Sequence, residues 1–217
     1  MTAYPRAELD AMVEHWLQAN LDAEASGDWR SLADCFTEDA TYGWNFGPKE
    51  HFMAVGRDEI RDIALGQEMG GLDGWQYPYE EMIIDETKGH VVGFWRQVAD
   101  ATREDGSSYE VPGIGGSWFV YGGDRQWAFQ RDWFDYGNAA SLFLEMMGDG
   151  TLSDGMQARM DRSLKPGQLP GHYPIRDVPV GSADKELGRF SRPLSVEHDR
   201  RAVGTDVQVA EKSVERQ

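Results

Sequence analysis

The chain has 217 residues, of which 38 are acidic and 21 are basic, so its formal net charge at pH 7 is −17. A surface this acidic repels phosphate backbones and anionic lipids, which argues against binding to nucleic acid or to a membrane surface. The single cysteine, Cys35, excludes a disulfide within the chain, and no run of about 18 apolar residues is present that could cross a membrane. Because 40% of the residues are hydrophobic, we expect a folded protein. Residues 1–10 carry charges and a proline but no apolar core of a signal peptide, so we expect it to be soluble and cytoplasmic.

The N-terminal segment has the periodicity of an amphipathic helix over residues 7–26. Its large apolar residues recur at three- and four-residue spacing, at Leu9, Met12, Val13, Trp16, Leu17 and Leu21. Asn20 falls inside this stripe, where an amide is costly unless it finds a partner. Gly27 is a typical helix stop, and Asp28 can cap a second, short helix that ends near residue 36.

The middle of the chain follows the two-residue period of β-strands. A first strand covers residues 39–46 and a third short helix begins near residue 57. Four further strands follow, at residues 75–85, 90–102, 107–121 and 126–136. Glycine-containing turns join these four strands, as in an antiparallel meander, and Asn138 can cap a last helix that ends near residue 147. Helices gathered on one side of a strongly bent antiparallel sheet form an α+β fold that encloses a conical cavity.

The composition changes after residue 148. Residues 149–217 hold few large apolar side chains and contain two stretches rich in proline, glycine and charge. We therefore divide the chain into one folded domain, residues 1–148, and an extended C-terminal tail. The pattern does not distinguish a disordered tail from an arm that lies over the domain or over a second subunit.

Three segments in the folded part together resemble the NTF2-like superfamily. They are Thr37-Glu38-Asp39-Ala40-Thr41-Tyr42, Val55-Gly56-Arg57-Asp58-Glu59-Ile60 and Gln130-Arg131-Asp132-Trp133-Phe134-Asp135. The superfamily includes SnoaL-type cyclases, scytalone dehydratase, ketosteroid isomerase and limonene-epoxide hydrolase, and the similarity covers residues 7–147. It implies a cystatin-like fold, in which a curved antiparallel sheet wraps around helices and encloses a deep apolar pocket. Homodimers are common among these proteins, so a homodimer is expected here.

The closest local similarity is to limonene-epoxide hydrolases, whose last strand carries a Trp-Arg-Asp-Tyr-Phe-Asp-like stretch. The resemblance puts their catalytic aspartate at Asp132, their active-site tyrosine at Tyr42 and the neighbouring asparagine at Trp44. Their Arg-x-Asp pair corresponds to Trp95 and Gln97, so that pair is missing from this chain. The resemblance therefore implies an NTF2-like pocket with altered chemistry.

Asp132 is the first candidate for catalysis because of its place in the last strand. In an alternating strand it shares a face with Gln130 and Phe134, a polar and aromatic mixture that is typical of a lined cavity, while Arg131 points the other way. A carboxylate in such a place is costly unless it is paired or functional, and desolvation would raise its pKa towards values useful for proton transfer. The alternative is a structural aspartate that is satisfied by the backbone or by a buried arginine.

Other polar and aromatic residues complete the predicted site. Tyr42 and His51 are the catalytic partners: the hydroxyl can bond a substrate oxygen or the carboxylate, and a histidine at the pocket mouth titrates near neutrality. The predicted substrate-binding residues are Asn20, Trp44, Asn45, Tyr77, Tyr79, Trp95, Gln97 and Phe134. Each aromatic residue could equally be ordinary core packing, and the histidine could be an incidental loop residue.

These residues predict an enzyme that needs neither a cofactor nor a metal and performs acid/base chemistry on a hydrophobic aromatic or polycyclic small molecule. A lyase or isomerase, of a dehydratase or deformylation type, is favoured over ring-opening hydrolysis because the Arg-x-Asp pair is missing. Three alternatives stay open. They are an epoxide hydrolase-like enzyme, a non-catalytic module that binds an apolar ligand in the same pocket, and a subunit of a larger enzyme.

Overall fold

The computed structural model describes residues 4–46, 49–163, 169–179 and 181. In chain order the elements are α1 Arg6–Ser26, a 3-10 helix Trp29–Cys35, β1 Phe36–Phe46, β2 Glu50–Val55, α2 Arg57–Glu59, a π-helix Ile60–Glu68, β3 Trp75–Gln76, β4 Tyr79–Asp85, β5 His90–Trp95, β6 Val98–Thr102, β7 Ser108–Glu110, β8 Gly115–Gly123, β9 Gln126–Trp133, α3 Tyr136–Asp149, α4 Asp154–Ser163 and β10 His172–Pro174. No helix within the described ranges is long and apolar enough to cross a membrane. The predicted α+β class is confirmed.

The first helix packs against the main sheet through its aromatic residue Trp16. The indole meets Phe36 of β1, Phe119 of β8 and Trp127 of β9 in edge-to-face contacts, with ring centroids 5.3 to 6.4 Å apart. Such contacts add to the burial of large apolar surfaces, because the positive edge of one ring meets the negative face of another. The helix and three strands therefore share one apolar core.

The ends and the stripe of α1 follow the prediction except at one position. Gly27 ends the helix with φ of 70°, and the Asp28 carboxylate accepts a hydrogen bond from the Arg30 amide at the start of the 3-10 helix. Asn20 lies inside the buried stripe, as expected, whereas Leu21 is 59% exposed. One residue further along a helix is a rotation of about 100°, which carries Leu21 off the packed face.

The main sheet has seven strands in the order β10-β2-β1-β9-β8-β5-β4. Neighbouring strands are antiparallel except β1 and β9, which run parallel with Tyr42 beside Gln130 and Trp44 beside Asp132. The predicted antiparallel sheet is thus confirmed with one parallel pair, which joins the β1–β2 hairpin to the meander. Because side chains alternate along a strand, the pair brings the predicted catalytic residues of the first and last predicted strands onto one face.

Three of the four long strands predicted for the meander are each divided into two. Residues 75–85 form β3 and β4, residues 90–102 form β5 and β6, and residues 107–121 contain β7 and most of β8. The strands β3, β6 and β7 leave the main sheet and form a second, three-stranded one. Pro78 interrupts the first of these strands because it has no amide to donate to a ladder. Gln97 lies at the corresponding interruption between β5 and β6.

The small sheet, α3 and α4 enclose a second apolar core. Its buried members are Leu72, Trp75, Ala99, Tyr109, Val111, Ala139, Leu142, Met146 and Met156. The predicted last helix is present as α3, but its cap is Asp135, whose carboxylate accepts the amide hydrogen of Asn138 at 2.9 Å. Asn138 itself is the third residue of the helix and donates its side chain to the Pro112 carbonyl.

The helix α4 is held against the loop that follows the π-helix by an approach of two backbones. A Cβ atom on Gly71 would lie 2.3 Å from the carbonyl oxygen of Gly155, so only glycine permits this contact. The φ of Gly71 is also +93°, a conformation that other residues rarely adopt. Arg162 adds a hydrogen bond from Nη2 to the Gln67 carbonyl at 3.2 Å. The helix is therefore fixed at both of its ends.

A short strand continues the contact between the C-terminal segment and the domain. β10 pairs with β2 in antiparallel fashion and becomes an edge of the main sheet. Of the segment predicted as a tail, α4 and β10 thus lie against the domain, and residues 164–168, 180 and 182–217 fall outside the described residues. The division of the chain at residue 148 stays a prediction.

Candidate active site

A cavity of about 430 Å³ lies between α1, the main sheet, the π-helix, α3 and α4. Its wall is mainly apolar, and the apolar and aromatic side chains include Trp16, Trp29, Leu32, Trp44, Phe46, Leu65, Met69, Leu72, Phe134, Phe143, Leu144, Met147 and Met156. Cavities of about 300–1,000 Å³ with an apolar wall and a few polar groups are typical of small-molecule sites. This one has the volume for a compound of two or three rings.

Most of the predicted site residues are brought together at this cavity. Those that line it are Asn20, Tyr42, Trp44, Tyr77, Tyr79, Trp95, Gln97, Asp132 and Phe134. They come from α1, β1, β4, β5 and β9 and from the interruptions between strands, so the fold collects residues that are more than a hundred positions apart in sequence. Their roles in catalysis or binding stay predictions.

His51 and Asn45 do not line the cavity, and their predicted placement there is wrong. The two residues pair across the β1–β2 hairpin, and Asn45 is exposed. Their neighbour Trp44 lines the cavity, so strand alternation puts His51 and Asn45 on the opposite face. Burial lowers the pKa of His51, and the charge of Arg131, on the same outer face, lowers it further. From the sequence, this residue is expected in a loop between the first strand and the third helix, because the residues of β2 show no clear strand alternation.

The Asp132 carboxylate accepts a hydrogen bond at each of its oxygens. The Tyr42 hydroxyl donates to Oδ2 at 2.6 Å, and Gln130 Nε2 donates to Oδ1 at 2.8 Å. Ser117 is a further hydrogen-bonding partner. The side chain is partly accessible, and it faces the cavity. A carboxylate in this apolar wall is therefore positioned by donors on its own strand and on both neighbouring strands.

Burial sets the proton affinities of this group of residues. It raises the pKa of Asp132 above the ordinary aspartate value, although the hydrogen bonds from Tyr42, Gln130 and Ser117 favour the charged form and oppose the rise. Burial raises the pKa of Tyr42 well above its ordinary value, and the charge of Asp132 adds to the effect. The phenol consequently keeps its proton at neutral pH, while the carboxylate becomes a better proton acceptor than a solvated aspartate. This arrangement can move a proton.

Ser117 links Asp132 to a second set of hydrogen bonds, and sequence analysis missed it. Trp95 Nε1 donates to Ser117 Oγ at 2.9 Å, and the Tyr79 hydroxyl lies 3.3 Å from the same oxygen. Trp16 Nε1 in turn donates to the Tyr79 hydroxyl at 3.1 Å. Ser117 lies directly beside Asp132 in the β8–β9 register. Pairing the residues of β8 and β9 outward from the turn that joins them could therefore have identified Ser117 as the neighbour of Asp132.

The two predicted amide residues, Asn20 and Gln97, each form a hydrogen bond with a neighbouring residue. Asn20 Nδ2 donates to the Trp16 carbonyl of the preceding helical turn at 2.8 Å, which resolves the cost of an amide in the apolar stripe. Gln97 Nε2 donates to the Tyr77 hydroxyl at 3.3 Å. Burial raises the pKa of Tyr77, and the charge of Arg159 opposes the rise. The two amides thus give the cavity polar positions away from Asp132.

A second polar group, formed by Glu68, Arg159 and His172, was not predicted. Glu68 and Arg159 line the cavity, with Arg159 Nη2 3.5 Å from Glu68 Oε2 and His172 Nε2 3.3 Å from Glu68 Oε1. Burial alone would raise the pKa of Glu68, but the hydrogen bond with His172 and the charge of Arg159 outweigh it, so the pKa is lowered. Within the described ranges, no three His, Cys, Asp or Glu side chains come close enough to bind a metal ion.

Comparison with known proteins gives a family match and several similar structures. The SnoaL-like domain family matches residues 13–124, from α1 to the turn that follows β8. An NTF2-like protein from Anabaena variabilis ATCC 29413 is 19% identical with a TM-score of 0.46, over 62% of this chain and 95% of that chain. PrhC from Penicillium brasilianum is 15% identical with a TM-score of 0.49, over 70% and 96% of the two chains. An NTF2-like protein from Burkholderia pseudomallei is 12% identical with a TM-score of 0.44, over 59% and 95%. No curated protein matches the sequence.

Proposed function

The chain belongs to the SnoaL-like domain family, and from this premise we propose that it is a cofactor-independent acid/base enzyme, a lyase or isomerase. Its substrate would be a hydrophobic aromatic or polycyclic small molecule. The family membership agrees with the resemblance inferred from the sequence and with small-molecule binding. The reaction and the substrate class are the proposal.

One observation carries the proposal: Asp132 lines an apolar cavity with a raised pKa and a hydrogen bond of 2.6 Å from Tyr42. Groups whose pKa is shifted by burial inside a cleft are concentrated at functional sites. General acid/base catalysis is most effective when the pKa of the catalytic group is near the working pH.

In the proposed reaction Asp132 takes a proton from a substrate carbon or hydroxyl, and negative charge develops on the substrate. The newly neutral carboxyl group no longer needs the hydrogen bond from Tyr42, so that hydroxyl is free to donate to a substrate oxygen. Asp132 then returns the proton. Return to a different carbon isomerises the substrate, and return to a departing hydroxyl releases it as water.

The substrate class follows from the wall. Rings from Trp16, Trp44, Phe46 and Phe134 line the same cavity as the carboxylate, and Trp44 is beside Asp132 in the strand register. Flat apolar molecules gain most from such a wall, because apolar area removed from water is the main source of affinity. An acyclic, highly charged substrate would lose its hydration without compensation.

A homodimer is part of the proposal. The outer face of the main sheet carries the partly exposed aromatic side chains of Trp118, Phe94 and Trp133, and Ile83 is 51% exposed at its edge strand. Apolar surface of this kind on a sheet is typical of a protein interface. Light scattering after gel filtration should give twice the mass of one chain, and a monomer would contradict this part.

The test of the enzyme uses a ring ketone whose carbon-bound protons exchange with solvent once a base removes them. Native protein should accelerate deuterium exchange into 2-tetralone in heavy water, measured by proton NMR. Asp132→Asn should reduce the protein-dependent rate by about 100-fold or more, the usual contribution of a general base. The matched control is Asp39→Asn, an exposed position on the same strand as Tyr42, which should leave the rate unchanged.

A second measurement separates a catalytic carboxylate from a structural one. The folded-state pKa of Asp132 is raised above the unfolded value, so its contribution to stability is present below the unfolded pKa and is lost as pH rises through the folded pKa. Near neutral pH, where the carboxyl group of the unfolded chain is ionised, its burial in the folded protein therefore costs stability, and Asp132→Asn should raise the melting temperature. A lower melting temperature with unchanged exchange would identify a structural residue. Binding of the ketone without exchange by native protein would instead identify a binding module.

A further inference from the structure

Arg159 places a guanidinium group in the cavity wall, and one of its nitrogens has no partner among the described residues. Nη1 is buried, with no acceptor within hydrogen-bonding distance in that part of the chain. Nη2 lies 3.5 Å from Glu68 Oε2, which is close enough for an ion pair but longer than a normal N–H···O hydrogen bond. Arg159 therefore has hydrogen-bonding capacity that its own ion pair does not use.

The carboxylate of that ion pair is engaged elsewhere. Glu68 Oε1 lies 3.3 Å from His172 Nε2 and accepts a hydrogen bond from Gln67 Nε2 at 3.3 Å. Glu68 and His172 are only 5% and 4% exposed, so neither can turn towards Arg159 without rearranging the core. Glu68 therefore balances the charge of the Arg159 guanidinium, while its own position is held by His172 and Gln67.

The position of Arg159 is fixed by the helix that carries it. Met156, three residues earlier on α4, is 1% exposed, and the contact of Gly71 with Gly155 leaves no room for the helix to slide. Arg162, three residues later, bonds the end of the π-helix. A donor held in place before a ligand arrives loses little freedom on binding, which favours affinity and selectivity.

We propose that Arg159 determines substrate specificity by receiving an oxygen acceptor of the substrate, a ketone or carboxylate oxygen, at a position separate from the atom that reacts at Asp132. This inference rests on the proposed function and specifies its substrate class as ring compounds that carry such an oxygen. Hydrogen bonds to a charged donor inside a protein are stronger than those between neutral groups. A purely apolar ligand cannot accept a hydrogen bond from Nη1, so it lacks this contribution to affinity and an oxygen-bearing ligand is preferred.

The experiment compares three probes of one shape: biphenyl, 4-acetylbiphenyl and biphenyl-4-carboxylate. Their affinities are measured by quenching of tryptophan fluorescence, since four indoles line the cavity, those of Trp16, Trp29, Trp44 and Trp95. Native protein should bind at least one oxygen-bearing probe about tenfold more tightly than biphenyl, the usual effect of one hydrogen bond to a charged group. A preference for the carboxylate alone assigns an acid, and a preference for both probes assigns any oxygen acceptor.

Variants of two arginines, one in the cavity wall and one outside it, supply the comparison and its control. Arg159→Met keeps an apolar side chain of similar length and should remove the preference while leaving biphenyl affinity within about twofold. Arg6→Met loses an exposed ion pair with Asp10 on α1 and does not touch the cavity, and it should keep the preference. The double variant Glu68→Gln/Arg159→Met removes both charges of the ion pair and should also bind the three probes alike, even if the single variant folds poorly.

The outcomes distinguish this inference from the proposed function. Equal binding of the probes by native protein, or a preference that persists in Arg159→Met, overturns the assignment of Arg159 and leaves the role of Asp132 intact. No binding of any probe overturns both. If the preference for oxygen-bearing probes is lost only when Arg159 is replaced, the specificity site is supported. If, in the same protein, Asp132→Asn leaves the exchange rate unchanged, only the catalytic proposal is overturned.

Discussion

The two polar walls of the cavity are built in different ways. On the sheet side, Tyr42, Gln130 and Asp132 come from two paired strands, and backbone hydrogen bonds fix their register. On the helical side, Glu68 and Arg159 come from two helices that are joined by side-chain contacts, including a hydrogen bond and an ion pair, and by the close approach of two glycines. The first wall is positioned by a ladder, and the second by the docking of a segment.

The difference extends to how fully the polar groups are bonded. Both oxygens of Asp132 accept hydrogen bonds, whereas Arg159 keeps a nitrogen without a partner in the described structure. A fully bonded carboxylate is held for a precise proton transfer, and an unsatisfied donor is suited to recognising a ligand atom. Both residues lie beyond residue 124, where the family match ends. The matched segment therefore includes Tyr42 and Glu68 of the two walls but neither Asp132 nor Arg159.

The largest expected effect is on the stability of the helical wall. Glu68→Gln leaves the Arg159 charge in the cavity wall without its counter-ion and should cost about 3 kcal/mol of unfolding free energy, measured by urea denaturation at pH 7. The matched change Glu145→Gln breaks an ion pair with Arg103 in which both partners are more exposed, and it should cost at most about 1 kcal/mol. Similar losses for the two variants would show that the Glu68 pair is not an important stabiliser.

This effect should depend on pH in a defined direction. The folded-state pKa of Glu68 is lowered, so its stabilisation is present above the pKa of an ordinary glutamate and is lost as pH falls through the folded pKa. Native protein and Glu68→Gln should therefore converge in stability in acid. A difference that stayed constant down to pH 3 would contradict the ionised carboxylate.

A smaller effect should come from loosening the contact that docks α4. Gly71→Ala and Gly106→Ala both place a side chain at positive φ, but only the first would bring its Cβ against another backbone. We expect Gly71→Ala to cost about 1–3 kcal/mol more than its control, the usual range for overpacking. It should also reduce the preference for oxygen-bearing probes while changing the exchange rate at Asp132 much less. Equal effects on both properties would mean that the two walls are not independent.

The smallest expected effect concerns the sheet wall. Tyr42→Phe removes a hydrogen bond that favours the charged form of Asp132, so the pKa of the carboxyl group should rise further. Because the base must be ionised, the acid limb of the exchange rate should move to higher pH, with a stability loss of about 1.5 kcal/mol. Tyr109→Phe removes a comparable hydroxyl bond, to Asp149, and should not move the limb. If the acid limb of Tyr42→Phe stayed at the same pH or moved to lower pH, the proposed role of this hydrogen bond would be contradicted.

Much of the first wall could be predicted because its signals are local. The period of the last strand put Gln130, Asp132 and Phe134 on one face, and the apolar stripe of α1 put Asn20 inside the core. His51 was misplaced because β2 is a short strand without clear alternation: its residues 52 to 54 are all buried, so no period marks its two faces. Ser117 was missed because its importance depends on a partner strand and not on its own neighbours.

The second wall could not be predicted because nothing local distinguishes it. Arg159 belongs to a polar helix in which only Met156 is buried, and His172 follows a stretch that resembles a linker. Composition correctly indicates that such a segment cannot form a core by itself, yet it does not exclude packing onto a core made by other residues. The contact of Gly71 with Gly155 joins positions whose separation in sequence carries no periodic signal.

The sequence by itself determined the class of fold, the buried stripe of the first helix and the face of β9 that carries Asp132, because side-chain alternation depends only on local backbone geometry. Only the tertiary structure decided which strands are interrupted, that β1 runs parallel to β9, and that α4 brings Arg159 to the cavity. Those outcomes depend on contacts between distant residues, whose free energy comes from shape and charge complementarity that appears only once the chain has folded.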